Sequence, residues 1–366
     1  MRLLFVLCVA AIVYGSLYPF AFVPHWPSGG AVRQFLATWN DLPSRGDILG
    51  NILLFVPYGL LGRFTVPARR IVWTGALLAA ALQIAQFWIE DRVPQIQDVV
   101  WNMAGLAAGL GLASLTVVQR GMRSGALTWW QSPPALLIGF WLASIAAPFV
   151  PTIDLAQVIA SLKPLLKAPV LDAPKVFQAL AVWLAIGCLV QEFVADRSRQ
   201  RLAYLAVLGL AFLLRLVIVG NSVALNEVIG MAIAVMLWFW RGERTAARRG
   251  MAGVLLLASI FWAGLHPFVF RETPGYFLWL PFEGLLIGSM LLNLKAVLAK
   301  IFLYGTSIWL LKGKGNRYPV AIAATMAVTL AVEVGQAWSG RGVAEVTDPL
   351  MALALGIVLA KWKKVR

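Results

Sequence analysis

Two carboxylate–amide pairs stand one helical turn apart in the first third of the sequence, Asp47 with Asn51 and Asp98 with Asn102. Residues at i and i+4 share a helix face. Each pair therefore presents a carboxylate, which only accepts hydrogen bonds, beside an amide that both donates and accepts. Between them lie Gln83 and Gln86, then Glu90, Asp91 and Arg92, and a second set near the other end comprises Glu333, Gln336, Arg341 and Asp348. Two kinds of chemistry suit such groups. In a polar pocket, an arginine grips a phosphate or carboxylate with a forked contact, while Asp and Asn bind hydroxyl or amide groups. As plain ion pairs, Arg92 with Asp98 and Arg341 with Asp348 would lock the loop that joins two helices, a weak contribution near an interface. The candidate ligand-binding residues are Asp47, Asn51, Gln86, Arg92, Asp98, Asn102, Glu333, Gln336, Arg341 and Asp348; none is given a catalytic role.

Other chemistries find no support in the sequence. His25 and His266 have no clustered partners and do not make a metal site. No Ser-His-Asp set, glycine-rich nucleotide loop or paired-cysteine motif occurs, and no cofactor is expected. Cys8 and Cys188 lie inside apolar blocks and read as small core residues.

The elements that must position the polar groups are apolar helices. The 366 residues are 60% hydrophobic and 13% charged, against about 45–50% and about 25% in soluble domains. The apolar residues fall in blocks of about 17–25, the length that crosses a hydrocarbon core, and sixteen tryptophans suit membrane interfaces. The expected spans are 3–22, 47–63, 71–89, 98–118, 134–150, 176–194, 202–219, 223–240, 252–270, 294–311, 318–338 and 343–360. The segment 276–292 is apolar too, but Pro274, Pro281 and Glu283 interrupt it, and it reads as interfacial or re-entrant. The stretch 153–168, with Lys163 and Lys167, is amphipathic and reads as a connector or a helix on anionic headgroups. Residues 3–20 resemble a signal peptide without a good cleavage site and read as an uncleaved first helix.

The formal charge of +15 does not point to nucleic acid, because the basic residues stand in short clusters between apolar blocks. With an even number of spans, the clusters around Arg69, Arg120, Arg199, Arg248, Lys312 and Lys363 fall on the side of Arg2, which places both termini in the cytoplasm. Most acids, and with them any polar site, then face outward.

A motif recurs three times. Tyr18-Pro19-Phe20 returns as His266-Pro267-Phe268 and, more weakly, as Ala147-Pro148-Phe149. From each proline to an acid near the fourth span the distance is 79 residues (Pro19 to Asp98), 79 (Pro148 to Glu227) and 81 (Pro267 to Asp348). Gly59, Gly187 and Gly305 mark the second spans at similarly matched distances. The fold expected is all-α: a polytopic transmembrane helix bundle of about twelve spans, in three parallel four-helix repeats over 1–125, 126–249 and 250–366. The middle repeat carries Phe212, Arg215, Asn221 and Glu227 and lacks the Gln/Glu–Gln pair, which reads as structural or degenerate.

The pattern Asp47, Asn51, Phe55, Pro57, Gly59, then Gln83, Gln86, Arg92, Asp98, Asn102 and Gly105, resembles the VanZ-like family. That family's second helix reads Asp-x3-Asn-x3-Phe-x-Pro-x-Gly, its third Glu-x2-Gln, followed by an Arg and Asp-x3-Asn-x2-Gly. The resemblance covers residues 14–115 and, more weakly, 260–360, where Glu333, Gln336, Arg341 and Asp348 match. Gln83 stands where the family has Glu, which removes a proton acceptor. The resemblance implies a protein of the bacterial cell envelope linked to glycopeptide antibiotic resistance. Its expected place is the inner (plasma) membrane, its expected partners membrane lipids and a lipid-linked envelope precursor or a glycopeptide. The molecular reading is a binding protein for an envelope precursor, lipid-linked glycan or glycopeptide-type amphiphile at an outward polar site. A transporter or flippase and an intramembrane enzyme acting on lipid-linked sugars stand as alternatives.

Overall fold

The computed structural model describes residues 2–23, 31–40, 45–90, 92–115, 132–152, 154–166, 171–240, 245–286, 290–313, 315, 317–340 and 342–362. They form helices α1 (Arg2–Leu17), α2 (Ala31–Ala37), α3 (Arg45–Arg63), α4 (Ala68–Gln86), α5 (Ile96–Ser114), α6 (Pro133–Ala146), α7 (Leu155–Leu166) and α8 (Ala173–Phe193). There follow α9 (Arg197–Val217), α10 (Leu225–Trp240), α11 (Thr245–Leu265), α12 (Glu283–Leu286), α13 (Met290–Leu311), α14 (Tyr318–Ser339) and α15 (Thr347–Ala360). The only paired strands among the described residues, β1 (Phe277–Leu278) and β2 (Ala344–Glu345), run parallel.

Each of the twelve apolar stretches contains a helix among its described residues. Five helical segments are both long and apolar enough to cross a membrane: Ala173–Phe193, Arg197–Val217, Arg248–Leu265, Leu292–Leu311 and Tyr318–Ser339. Others stop short: α6 and α15 have 14 residues, about 21 Å at 1.5 Å per residue. Large apolar side chains on the helices face outward, with Leu77, Leu202, Val254, Leu292 and Val320 more than half exposed. Apolar surface on both the inner and outer sides of a helix marks a helix bathed in lipid. Trp73, Trp240 and Trp279 are exposed as well, as interface-seeking aromatics are. The chain is a multi-pass helical membrane protein. Segment 276–292 forms no span of its own among its described residues, only β1, the single turn α12 and the first residues of α13.

The chain divides into two compact units, Met1–Thr128 and Trp129–Arg366. In the first, α1 and α3 to α5 surround Ile12, Phe55, Tyr58, Ile71 and Leu106, and Tyr58 shares a 2.7 Å hydrogen bond with Thr74. Helices α3 and α5 touch backbone to backbone. A Cβ on Gly105 would lie 2.1 Å from the Ile52 carbonyl oxygen, one on Gly59 2.2 Å from that of Leu106, and one on Gly109 2.2 Å from that of Val56. Small residues permit such crossings, and Gly59, Gly105 and Gly109 supply them here. The second unit holds the segments expected as repeats two and three. Its largest core gathers Trp183, Leu189, Tyr204, Trp238 and Phe302. Cys8 and Cys188 are free thiols.

Three helix ends have one geometry. Tyr18-Pro19, Ala147-Pro148 and His266-Pro267 are cis, and the next residues, Phe20, Phe149 and Phe268, have φ of 63°, 62° and 63°. The chain then runs extended against the end of a later helix. Val23 N–H donates to Trp88 O at 2.8 Å, Thr152 N–H to Val217 O at 2.8 Å and Arg271 N–H to Trp338 O at 2.7 Å. Each donor sits four residues after its proline. This short backbone pairing brings the far ends of α4, α9 and α14 beside the ends of α1, α6 and α11, where the polar groups meet.

Candidate functional site

The helix that ends in cis-proline leaves a carbonyl unserved. Proline has no N–H, and the N–H of Phe20 turns back to Leu17 O, so Ser16 O has no partner from its own helix. Gln86, buried on α4, donates to it at 2.9 Å. Gln336 on α14 donates to Gly264 O at 3.2 Å, and Asn221, in the segment after α9, to Ile145 O at 2.5 Å. In all three cases the carbonyl lies three residues before the proline. An unpaired carbonyl within a lipid-embedded bundle is costly, and these amides remove that cost. Gln86 and Gln336 were both candidate ligand-binding residues; the structure employs their side chains to close helix ends.

In the first unit the remaining candidates gather around Asp98, in the first turn of α5. Its Oδ1 accepts from Asn51 Nδ2 at 2.7 Å and its Oδ2 from Gln83 Nε2 at 3.1 Å. Gln83 Oε1 in turn accepts Gln95 N–H at 3.0 Å. Asp47, exposed at the start of α3, is close enough for its charge to act on Asp98. Arg92 is not paired with Asp98. Its Nε and Nη2 both donate to Tyr18 O, at 3.0 and 2.9 Å, so the guanidinium forks on a backbone carbonyl beside Pro19. The loop is locked, but by a different bond from the ion pair expected. Asn102, one turn beyond Asp98, is buried with its Oδ1 unpartnered.

The corresponding acid of α15, Asp348, centres a denser cluster. Its Oδ1 lies 2.5 Å from Lys300 Nζ, and its Oδ2 accepts from Tyr304 OH at 2.6 Å. Glu333 on α14 accepts Glu345 N–H at 2.7 Å and is within hydrogen-bond reach of Asp348. The Glu345 side chain accepts Gly284 N–H at 3.2 Å and stands 3.8 Å from Lys300. Glu333, Glu345 and Asp348 are all buried, while the Lys300 side chain is 25% exposed and carries the cluster to the surface. Arg341 lies outside the described residues.

The two clusters share a plan. Gln83 and Glu333 each accept the backbone N–H of the residue three before the acid. Asn51 and Lys300, from α3 and α13, each donate to that acid's Oδ1. Glu227, at the equivalent place in α10, is instead paired with Arg215. Sequence reasoning missed Lys300, Tyr304 and Glu345. The signal was there: a lysine and a tyrosine at i and i+4 inside an apolar helix, where an ionisable group is expensive and by default functional.

A lipid-embedded helical bundle with acid-centred clusters at its helix starts is the class that fold and site define. More narrowly, the VanZ/LLP1 family model matches residues 5–117, so the first compact unit carries a VanZ-like domain with Asn51, Gln83, Gln86, Arg92 and Asp98 inside it. No curated protein and no solved structure matches the chain.

Proposed function

We propose that this VanZ-like protein of the bacterial inner membrane binds an envelope precursor, a lipid-linked glycan or a glycopeptide-type amphiphile at an outward-facing polar site centred on Asp348. The proposed architecture is three tandem four-helix units, twelve spans in all, with both termini cytoplasmic. The recurrent proline turn and backbone pairing, at matching distances along the chain, and a side-chain amide on the carbonyl three residues before each proline support the repeat.

The observation that carries the binding reading is the cluster of Glu333, Glu345 and Asp348 with Lys300 and Tyr304. Among the described residues no other group brings three buried carboxyls together. Carboxylates accept hydrogen bonds from sugar hydroxyls and amides, and the partly exposed Lys300 ammonium offers a contact for a phosphate or carboxylate. The Asp98 cluster is the weaker candidate, because only neutral amides bond to Asp98 and Arg92 is held by Tyr18.

Thermal unfolding of the purified protein with undecaprenyl-linked precursors and lipoglycopeptides tests this. A ligand at a hundred times its Kd adds about 2.7 kcal/mol to stability. Wild type and Arg92→Ala are expected to gain with the same compound, whereas Asp348→Asn and Lys300→Gln are not. No gain with any compound, or equal gains in all four proteins, would sink the proposal. Turnover of a lipid-linked sugar that vanishes in Glu333→Gln would move the function to an enzyme.

A further inference from the structure

The second compact unit contains a cavity of about 340 Å³, within the size range of small-ligand pockets, about 300–1,000 Å³. It lies between α6, α8, the end of α9, the start of α10 and α13, and Lys175, Arg215 and Lys295 converge on it. These cations run against the charge pattern of the chain. They stand at the starts of α8 and α13 and the end of α9, the bundle end at which acids outnumber bases by the orientation proposed above.

Their partners leave positive charge over. Lys175 is ion-paired with Asp172 at 3.0 Å and Arg215 with Glu227. Lys295 donates to the neutral amide oxygen of Asn221 at 3.0 Å and has no carboxylate within ion-pair distance among the described residues. Arg215 carries a second unmet demand, since its Nε–H is buried without an acceptor. A cation in a lipid-embedded bundle needs a counter-charge, and a guanidinium N–H needs an acceptor oxygen. One tetrahedral oxyanion would satisfy both. Trp141, Trp183 and Phe302 line the same space and are buried in the core, so the wall behind the cations is apolar.

We propose that this cavity is a binding site for a phosphate group, held between Lys295 and the Nε–H of Arg215. The site is separate from the Asp348 cluster and does not depend on it.

The test uses full-length protein in a non-ionic detergent, with binding read calorimetrically for inorganic phosphate, inorganic pyrophosphate and a single-chain lysophosphatidic acid. Saturable binding of at least one probe is expected, weakened about tenfold or more in Lys295→Gln, as for loss of a charge-assisted bond. The double variant Arg215→Gln/Glu227→Gln, which leaves neither buried partner charged and alone, is expected to weaken binding similarly. Tighter binding of the lipid than of either inorganic ion assigns the site to a headgroup; equal or tighter binding of the ions assigns it to free phosphate. The variant Arg199→Gln, which removes an exposed arginine that does not line the cavity, is expected to keep full affinity. No saturable binding of any probe, or unchanged affinity in a folded Lys295→Gln protein, overturns the proposal.

Discussion

Gln83 shows how one atom changes what a cluster can do. Its amide has two faces, Oε1 accepting Gln95 N–H and Nε2 donating to Asp98. A glutamate there keeps the first bond, loses the second and sets two carboxylates against each other. Gln83→Glu is expected to cost about 1–3 kcal/mol, and adding Asp98→Asn, which restores a donor, is expected to recover most of it. Chemical denaturation in detergent would show this, and a double variant no more stable than the single one would contradict the arrangement. Gln86→Leu leaves Ser16 O unserved and is expected to cost a similar amount, about 1–3 kcal/mol, read as a lower Tm. The two-residue pattern Glu/Gln-x2-Gln was visible in the sequence, but its second member's partner was not. A side chain that binds a backbone carbonyl leaves no trace in residue types, because every residue has one; only the proline three positions later singles out Ser16 and Gly264. Lys300 escaped for the opposite reason. The family pattern has Asp-x3-Asn on the second helix, and this helix fulfils the donor's task with Lys300 instead.

Helix pairs were more legible than side-chain partners. Gly59 and Gly105 stand in the family pattern, and the structure places carbonyl oxygens where their Cβ atoms would be. Gly105→Ala is expected to cost about 1–3 kcal/mol through overpacking. Gly111, on the same helix, has nothing within 4 Å of an added Cβ, and Gly111→Ala is expected to be neutral or to stabilise by up to about 1 kcal/mol from helix propensity. Equal effects at the two positions, measured as shifts in Tm, would contradict the crossing. Helix ends were the poorer part of the reading. Spans expected to reach 22, 150 and 270 stop at Leu17, Ala146 and Leu265. Apolar residues continue past those points, so hydropathy alone overruns; the proline turn ends the helix, and the residues beyond it pair as extended chain.

At the scale of the molecule, orientation is the open quantity, and it is measurable. In a Cys8→Ser/Cys188→Ser background, a cysteine at Ser198 or Glu272, both exposed, would report its side of the membrane through a membrane-impermeant maleimide. The basic-cluster reading predicts labelling of Glu272→Cys from outside intact spheroplasts and of Ser198→Cys only in inverted vesicles. The reverse pattern would turn the polar sites toward the cytosol. Apolar blocks and basic clusters sufficed for the membrane class, because bilayer thickness and the cost of moving charge act on composition. The division into two compact units was less apparent, since nothing in the spacing of the repeats marks which neighbours share a core.

The carbonyl caps also impose an order in time. A membrane protein is threaded into the bilayer from its N-terminal end, so α1 arrives before α4, and Ser16 O waits uncapped until Gln86 enters. The same interval separates α11 from Gln336. During synthesis each such first helix is thus left with a bare polar end until two more helices have followed it, and a chain halted in that interval would offer that end to whatever insertion machinery or chaperone attends it.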